Sequence, residues 1–164
     1  MTVRTKKEFV VRTATNRDRE RVTTLVYGVL AEYGLPPDPC SKDSDLDDLE
    51  RNYIRPGGVF ELIEDKQGNL LGTYGLYRLD QDTCELRKMY FVPEIRGQGL
   101  GRQTLERCID HARRLGYRCI VLETFSVLKE AIRLYTRFGF VLTETKRLSA
   151  RVDQTYILKL TDYD

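Results

Sequence analysis

RGQGLGRQ, from Arg96 to Gln103, places three glycines in five residues between a strand-like run, CELRKMYFV, and a helical run that continues to about Leu115. Glycine loses more backbone freedom on entering a helix than any other residue. A helix that starts on three of them must gain something from bare backbone. Helix starts leave N–H groups unpaired and carry a partial positive charge, and glycine lets a chain bend tightly against a ligand. Together these features predict an anion site, with phosphate or pyrophosphate as the expected occupant. Arg96 and Arg102 add charge at its mouth. A plain strand-to-helix turn needs only one glycine.

Spacing narrows the ligand. A phosphate-binding loop of the G-x-x-x-x-G-K-[ST] type needs a lysine at the helix start, and none is present. A dinucleotide fingerprint needs G-x-G-x-x-G at an early strand–helix turn. Here the glycines are Gly97, Gly99 and Gly101, and the loop follows several earlier elements.

Those elements read in a definite order. FVVRT (9–13) is a short strand. Thr15 offers a helix cap, with Asp18 placed to reach back to it. Val22, Leu25, Val26, Val29, Leu30 and Tyr33 form one apolar stripe of a first helix that stops near Gly34. LPPDPCSKD cannot be helical because of its prolines, and Ser44 caps an expected second helix over roughly 45–53. Three strands follow, about 59–64, 70–78 and 83–92, joined by turn residues into an antiparallel meander. The glycine-led helix comes next and stops at Gly116. RCIVLET (118–124) reads as a buried strand. A helix over about 127–138 stops at Gly139, and FVLTETK and VDQTYILKL close the chain as a strand pair. The strand–helix–strand unit from 83 to 124 predicts a right-handed parallel crossover. The expected fold is α/β with a mixed central sheet of about seven strands and about four helices on both faces, in one domain spanning 1–164.

Composition removes other classes. With 164 residues, 41% apolar and 32% charged, the chain reads as a globular protein able to bury a core. A net charge of +2 with no dense lysine/arginine block argues against nucleic acid. The N-terminal segment lacks an apolar core region and a cleavage site, and no apolar run approaches the roughly 20 residues of a membrane span. The expectation is a cytoplasmic protein with no membrane partner. Cys40, Cys84, Cys108 and Cys119 form no C-x-x-C pair and read as reduced thiols. One histidine argues against a histidine-rich metal site, so no metal is expected.

A third pattern fits the loop. Arg96-Gly97-Gln98-Gly99-Leu100-Gly101 resembles Q/R-x-x-G-x-G/A, the acyl-CoA signature of the GNAT superfamily of N-acetyltransferases. LRKMYFVPEIRGQGLGR resembles that family's pyrophosphate strand and loop, and EAIRLYTRFGF its second motif. The element order is also similar over about 8–160, with the specificity carried by 83–140. The resemblance implies a stand-alone, bacterial-type member with acetyl-CoA as acyl donor and a cleft where the fourth and fifth strands splay apart. It implies that Gln98, Gly99, Leu100, Gly101 and Arg102 supply N–H donors to the pyrophosphate, with Arg96 and Gly97 in the same loop. Main-chain atoms of Met89, Tyr90 and Phe91 would pair with pantetheine. Tyr135 matches the family's tyrosine general acid, although Leu128, Ala131, Ile132, Tyr135 and Phe138 also share one apolar stripe, so a core role is equally compatible. Glu85, four residues before Met89, is the candidate base, against an ordinary strand glutamate paired with Arg87. Many relatives carry an asparagine where this chain has Leu128. Ser126 is then a candidate for that pantetheine contact, or only a helix cap.

The acceptor is less constrained. The resemblance implies a primary amine attacking directly in a ternary complex. A small molecule or amino acid is expected, with a peptide or protein amine and a non-catalytic acyl-CoA-binding module as alternatives. An NAD-linked oxidoreductase is a further alternative. The five acidic residues from Asp43 to Glu50 read as a solvated helix face or as an attractor of cations. Arg147, Arg151 and Tyr156 are candidates for holding a substrate carboxylate. A homodimer is compatible with the resemblance.

Overall fold

The computed structural model describes residues 8–144 and 152–160. Ten elements follow the predicted order: β1 (Val10–Thr13), α1 (Arg19–Glu32), β2 (Val59–Glu64), β3 (Leu70–Arg78), β4 (Thr83–Phe91), α2 (Leu100–Arg114), β5 (Cys119–Thr124), α3 (Lys129–Arg137), β6 (Val141–Thr143) and β7 (Gln154–Lys159). The strands form one seven-stranded sheet in the order β1-β2-β3-β4-β5-β7-β6. Every neighbouring pair is antiparallel except β4 and β5, which α2 connects as a parallel crossover.

Alternation along the strands decides which helix covers which face. Tyr74, Leu76, Cys84 and Leu86 pack with Leu105, Cys108, Ile109 and Ala112 of α2 and with Tyr135 of α3. Phe60, Leu62 and Tyr77 project to the other face and meet Val22, Val26 and Leu30 of α1. The sheet is therefore sandwiched between helices on both sides. Ahead of α1, the backbone N–H of Thr15 donates to the Asp18 carboxylate at 2.9 Å, the expected reach-back cap.

The expected second helix over 45–53 is not one helix. Ser44–Asp47 form a 3₁₀ turn, Asp48 is extended (φ −146°, ψ 91°), and Glu50–Ile54 form a single π turn. Burial gives the reason. Asp43 and Asp45 are 1% and 6% exposed and serve as counter-ions beneath β4. Tyr53, fully buried, donates its hydroxyl to Asp45. These two aspartates are thus neither a solvated face nor a lure for cations. Arg147 and Arg151 lie outside the described residues. No helix among the described residues is long and apolar enough to cross a membrane.

Candidate functional site

β4 and β5 pair only at Thr83–Glu85 against Cys119–Val121. Beyond that point the strands part, although β4 runs on to Phe91 and β5 to Thr124. A second irregularity lies on the other side of β4. Thr73 pairs with Tyr90 and Gly75 with Arg87, so Tyr74 alone faces Lys88 and Met89. This is a β-bulge, and Lys88 takes it up with φ +54°, a left-handed conformation that a side-chain-bearing residue rarely adopts. The bulge bends β4 where it leaves β5.

Lys88 is held there by charge. Its ammonium lies 2.6 Å from Asp43 Oδ1, 3.0 Å from the Lys42 carbonyl and 3.4 Å from Asp45 Oδ1. The side chains of Lys88 and Asp43 are 7% and 0% exposed. The sequence pattern does not single out this anchor. Its one signal is Arg87-Lys88, two consecutive cations in a covered strand, which alternation cannot point the same way without a bulge.

The parted strands enclose a cavity of about 430 Å³. Met89, Tyr90 and Phe91 line one wall, and Thr124, Leu128, Ala131, Leu134 and Tyr135 another. Since β5 has left, the β4 backbone from Leu86 onward has no strand neighbour on this side among the described residues. The glycine loop closes one end: Gly97 and Gly99 have φ of +74° and +83°, and Gly99 caps α2. A Cβ at either would meet nothing within 4 Å, so backbone conformation and not crowding calls for glycine. The first i→i−4 bond of α2 runs from Gln103 N to Gly99 O at 3.1 Å. The N–H groups of Leu100, Gly101 and Arg102 therefore precede the helical ladder.

The lining is strongly cationic. Arg96, Arg102, Arg133 and Arg137 border the cavity with Lys88, against one carboxylate, Glu130. Arg133 and Arg137, one turn apart on α3, carry no sequence signal that sets them apart from other helix-surface arginines. Arg96 has structural partners as well: its guanidinium donates to the Phe91 carbonyl at 2.7 Å and to Glu32 of α1 at 2.6 Å, tying the end of β4 to α1. Arg102 is exposed and pairs with Glu106 one turn on. Gln98 donates its side-chain amide to the Glu94 carbonyl at 3.0 Å and does not border the cavity. Ser126 does not border it either. Its N–H and hydroxyl are bound to Asp153 at 2.7 and 2.6 Å, and Leu128 is the N-cap of α3, so the structure brings Ser126 to neither of its two expected places.

Tyr135 belongs to both the core and the cavity wall. Its ring packs beside Phe140 at 5.7 Å between centroids, it is 7% exposed, and it borders the cavity. Its hydroxyl makes no hydrogen bond among the described residues. Burial, with a smaller contribution from Tyr90, raises the phenol's pKa, so the hydroxyl holds its proton firmly. Glu85 lies elsewhere. It is 8% exposed, accepts from Arg87 Nη2 at 2.8 Å, and lines a smaller cavity of about 260 Å³. That cavity shares Lys88 and Tyr90 with the larger one, so the two meet across the bulge. Tyr156 is buried on β7 and donates to Gln154 at 3.2 Å. No group of three or more metal-binding side chains occurs among the described residues.

Comparison with known proteins agrees with this geometry. Residues 26–140 match the Acetyltransferase (GNAT) family. The chain is 38% identical over 136 residues to the uncharacterized N-acetyltransferase YjgM of Escherichia coli (strain K12), covering 80% of this chain and 81% of that protein. It is 32% identical over 102 residues to the N-acetylaspartate synthetase of Danio rerio, covering 62% of this chain but 36% of that longer protein. Among solved structures, yncA, a putative acetyltransferase from Salmonella typhimurium determined with acetyl-CoA, superposes with a TM-score of 0.72 at 23% identity, covering 94% of this chain and 95% of that one.

Proposed function

The chain belongs to the GNAT acetyltransferase family, and from that premise we propose that it transfers the acetyl group of acetyl-CoA to the primary amine of a small molecule or amino acid by direct attack. The observation that carries this reading is the split between β4 and β5, closed at one end by the bare N-terminus of α2 and walled by Tyr135. The residues suit acetyl-CoA. The N–H groups of Leu100, Gly101 and Arg102, with the surrounding arginines, match a pyrophosphate. The unpaired edge of β4 at Met89–Phe91 matches an amide-bearing arm that pairs like a strand. Leu128 offers pantetheine an apolar contact in place of the asparagine of many relatives.

The cavities divide the chemistry between them. An alkyl amine has a pKa of about 10 and must lose a proton before or as it attacks. Glu85, in the smaller cavity, takes that proton through water in this reading. As the amine nitrogen bonds to the thioester carbon and the C–S bond breaks, Tyr135 gives its proton to the departing sulfur. A phenol with a raised pKa serves as a donor and not as a base. No cysteine is needed as an acyl carrier: burial raises the thiol pKa of Cys84 and Cys108, which suppresses the thiolate. The amino-acid branch of the proposal draws support from the relative named for N-acetylaspartate.

Thiol release from acetyl-CoA across a panel of amines tests the function. Release with at least one amine supports it; a thermal shift with acetyl-CoA but no release would favour an acyl-CoA-binding module instead. For the base, Glu85→Gln is expected to lower kcat about a hundredfold with the acetyl-CoA Kd unchanged; an unchanged kcat takes the role away. For the donor site, Gly99→Val places a β-branched residue at φ +83°, at a cost of about 1–2 kcal/mol. Displacing those N–H groups should raise the acetyl-CoA Kd about tenfold by calorimetry.

A further inference from the structure

The smaller cavity carries charges that acetyl-CoA does not use. Three of its six lining side chains are cationic, Lys42, Arg87 and Lys88, and one, Glu85, is a carboxylate; Ser41 and Tyr90 complete it. The three cations differ in how far they are committed. Lys88 has oxygen neighbours for all three of its donors. Arg87 lies over the Tyr77 ring at 3.8 Å, donates to Glu85 and sits 3.6 Å from Asp45. Lys42 is less tied. Its one ion-pair partner among the described residues is Glu123, and Glu123 stands on β5, on the far side of the split from β4. The two side chains are 23% and 17% exposed, within reach of solvent. The backbone of Lys42 is meanwhile fixed to β4, because its carbonyl accepts from Lys88 at 3.0 Å. The Lys42–Glu123 pair is thus a charged strap from the β4 side to the β5 side, beside the cavity that holds Glu85.

Resting on the reading of this protein as an N-acetyltransferase, we propose that the smaller cavity takes a zwitterionic amine, the class of α-amino acids and amino-dicarboxylates. Lys42 receives the substrate's carboxylate in exchange for Glu123, and Glu85 faces the amino group. The exchange keeps the ammonium paired throughout, since one carboxylate leaves as another arrives. It also sets specificity. A polyamine would bring a second ammonium into a lining of three cations, whereas an amino acid brings a carboxylate that Lys42 can pair with in place of Glu123. An amine with its carboxylate masked as an amide would leave the strap closed.

Steady-state thiol release measures this with a set of amino acids, each beside its α-amide and its decarboxylated amine, and with spermidine. The acids are expected to exceed their amides and amines at least tenfold in kcat/KM. Lys42→Met should raise the KM for the acids about tenfold with little change in kcat, and should erase the gap between acid and amide. Glu123→Gln should instead lower that KM, because Lys42 loses the carboxylate that competes with substrate. Opposite signs are the discriminating result, since a strap with a purely structural role would make both variants fail alike. Lys42→Gln is the second variant, and an acetyl-CoA-dependent thermal shift in each variant reports that the donor site is intact. Amides or spermidine turned over as well as the acids, or a KM raised by both variants, would overturn the proposal while acetyl transfer stands. Acetyl-CoA bound without thiol release by any amine would overturn both.

Discussion

Tyr135→Phe is expected to lower kcat about a hundredfold while the acetyl-CoA Kd stays within twofold. The expected size is that of a positioned general acid, about 10² to 10⁴ in rate. The substitution removes one oxygen and keeps the ring, so the contact with Phe140 and the cavity wall persist. A loss confined to kcat therefore reports the proton and not the packing. Burial raises the phenol's pKa, so the hydroxyl is protonated at neutral pH and faces the departing sulfur as an O–H donor free of other hydrogen bonds among the described residues. Single-turnover measurement with saturating acetyl-CoA isolates the chemical step. An unchanged rate there would return Tyr135 to a role in the core alone. Tyr135→Ala is the wrong probe, because an aromatic truncation in a packed cluster costs about 3–5 kcal/mol of stability.

Lys88→Met is expected to destabilise the fold by about 3–5 kcal/mol. Removing the ammonium breaks the 2.6 Å ion pair that Lys88 makes with the fully buried Asp43 side chain, and leaves the Lys42 carbonyl without its donor. Breaking a buried pair by removing one partner costs more than the intact pair contributes. Against the roughly 5–15 kcal/mol that holds a typical domain together, this is a large share, and urea unfolding at neutral pH measures it. Replacing both partners, Lys88→Met with Asp43→Leu, should recover much of the loss, because both members of the buried pair are then apolar. Activity should not recover with it. The ammonium also fixes the 42–45 segment against β4, and that segment supplies Lys42 to the acceptor cavity. Equal losses in the single and double variants would show that the backbone at φ +54°, and not the charge, decides stability there.

Local patterns make most of the scaffold legible. Alternation predicts β2, β3 and β4 to within a residue, and glycines mark the ends of α1, α2 and α3. The loop from Arg96 to Arg102 announces itself because three glycines at a helix start have few other uses. The segment 44–54 misleads for the opposite reason. Serine followed by acidic residues satisfies every local rule for a helix start, yet Asp43, Asp45 and Tyr53 are drawn inward by partners far along the chain. Lys88 pairs with Asp43 across 45 positions, and Lys42 with Glu123 across 81. No periodicity carries information over such separations.

The same division separates donor from acceptor. The proposed donor site is built mainly from backbone, and backbone conformation follows from nearby residues: glycine at Gly97 and Gly99 permits φ near +80°, and the helix behind them supplies the N–H groups. The chain's own order of residues was therefore enough to predict the β4–loop–α2 arrangement, with its bare helix start, and the fold around it. The proposed acceptor cavity is built from side-chain charges on segments remote in sequence, Lys42 on the chain after α1, Glu85 and Arg87 on β4, with Glu123 beside them on β5. Which of those charges cancel, and which stay exchangeable, depends on distances of a few ångströms set only when the strands part at Glu85 and Val121. Coulomb energy varies with that separation and with burial, not with position along the chain, so only the tertiary structure could decide it.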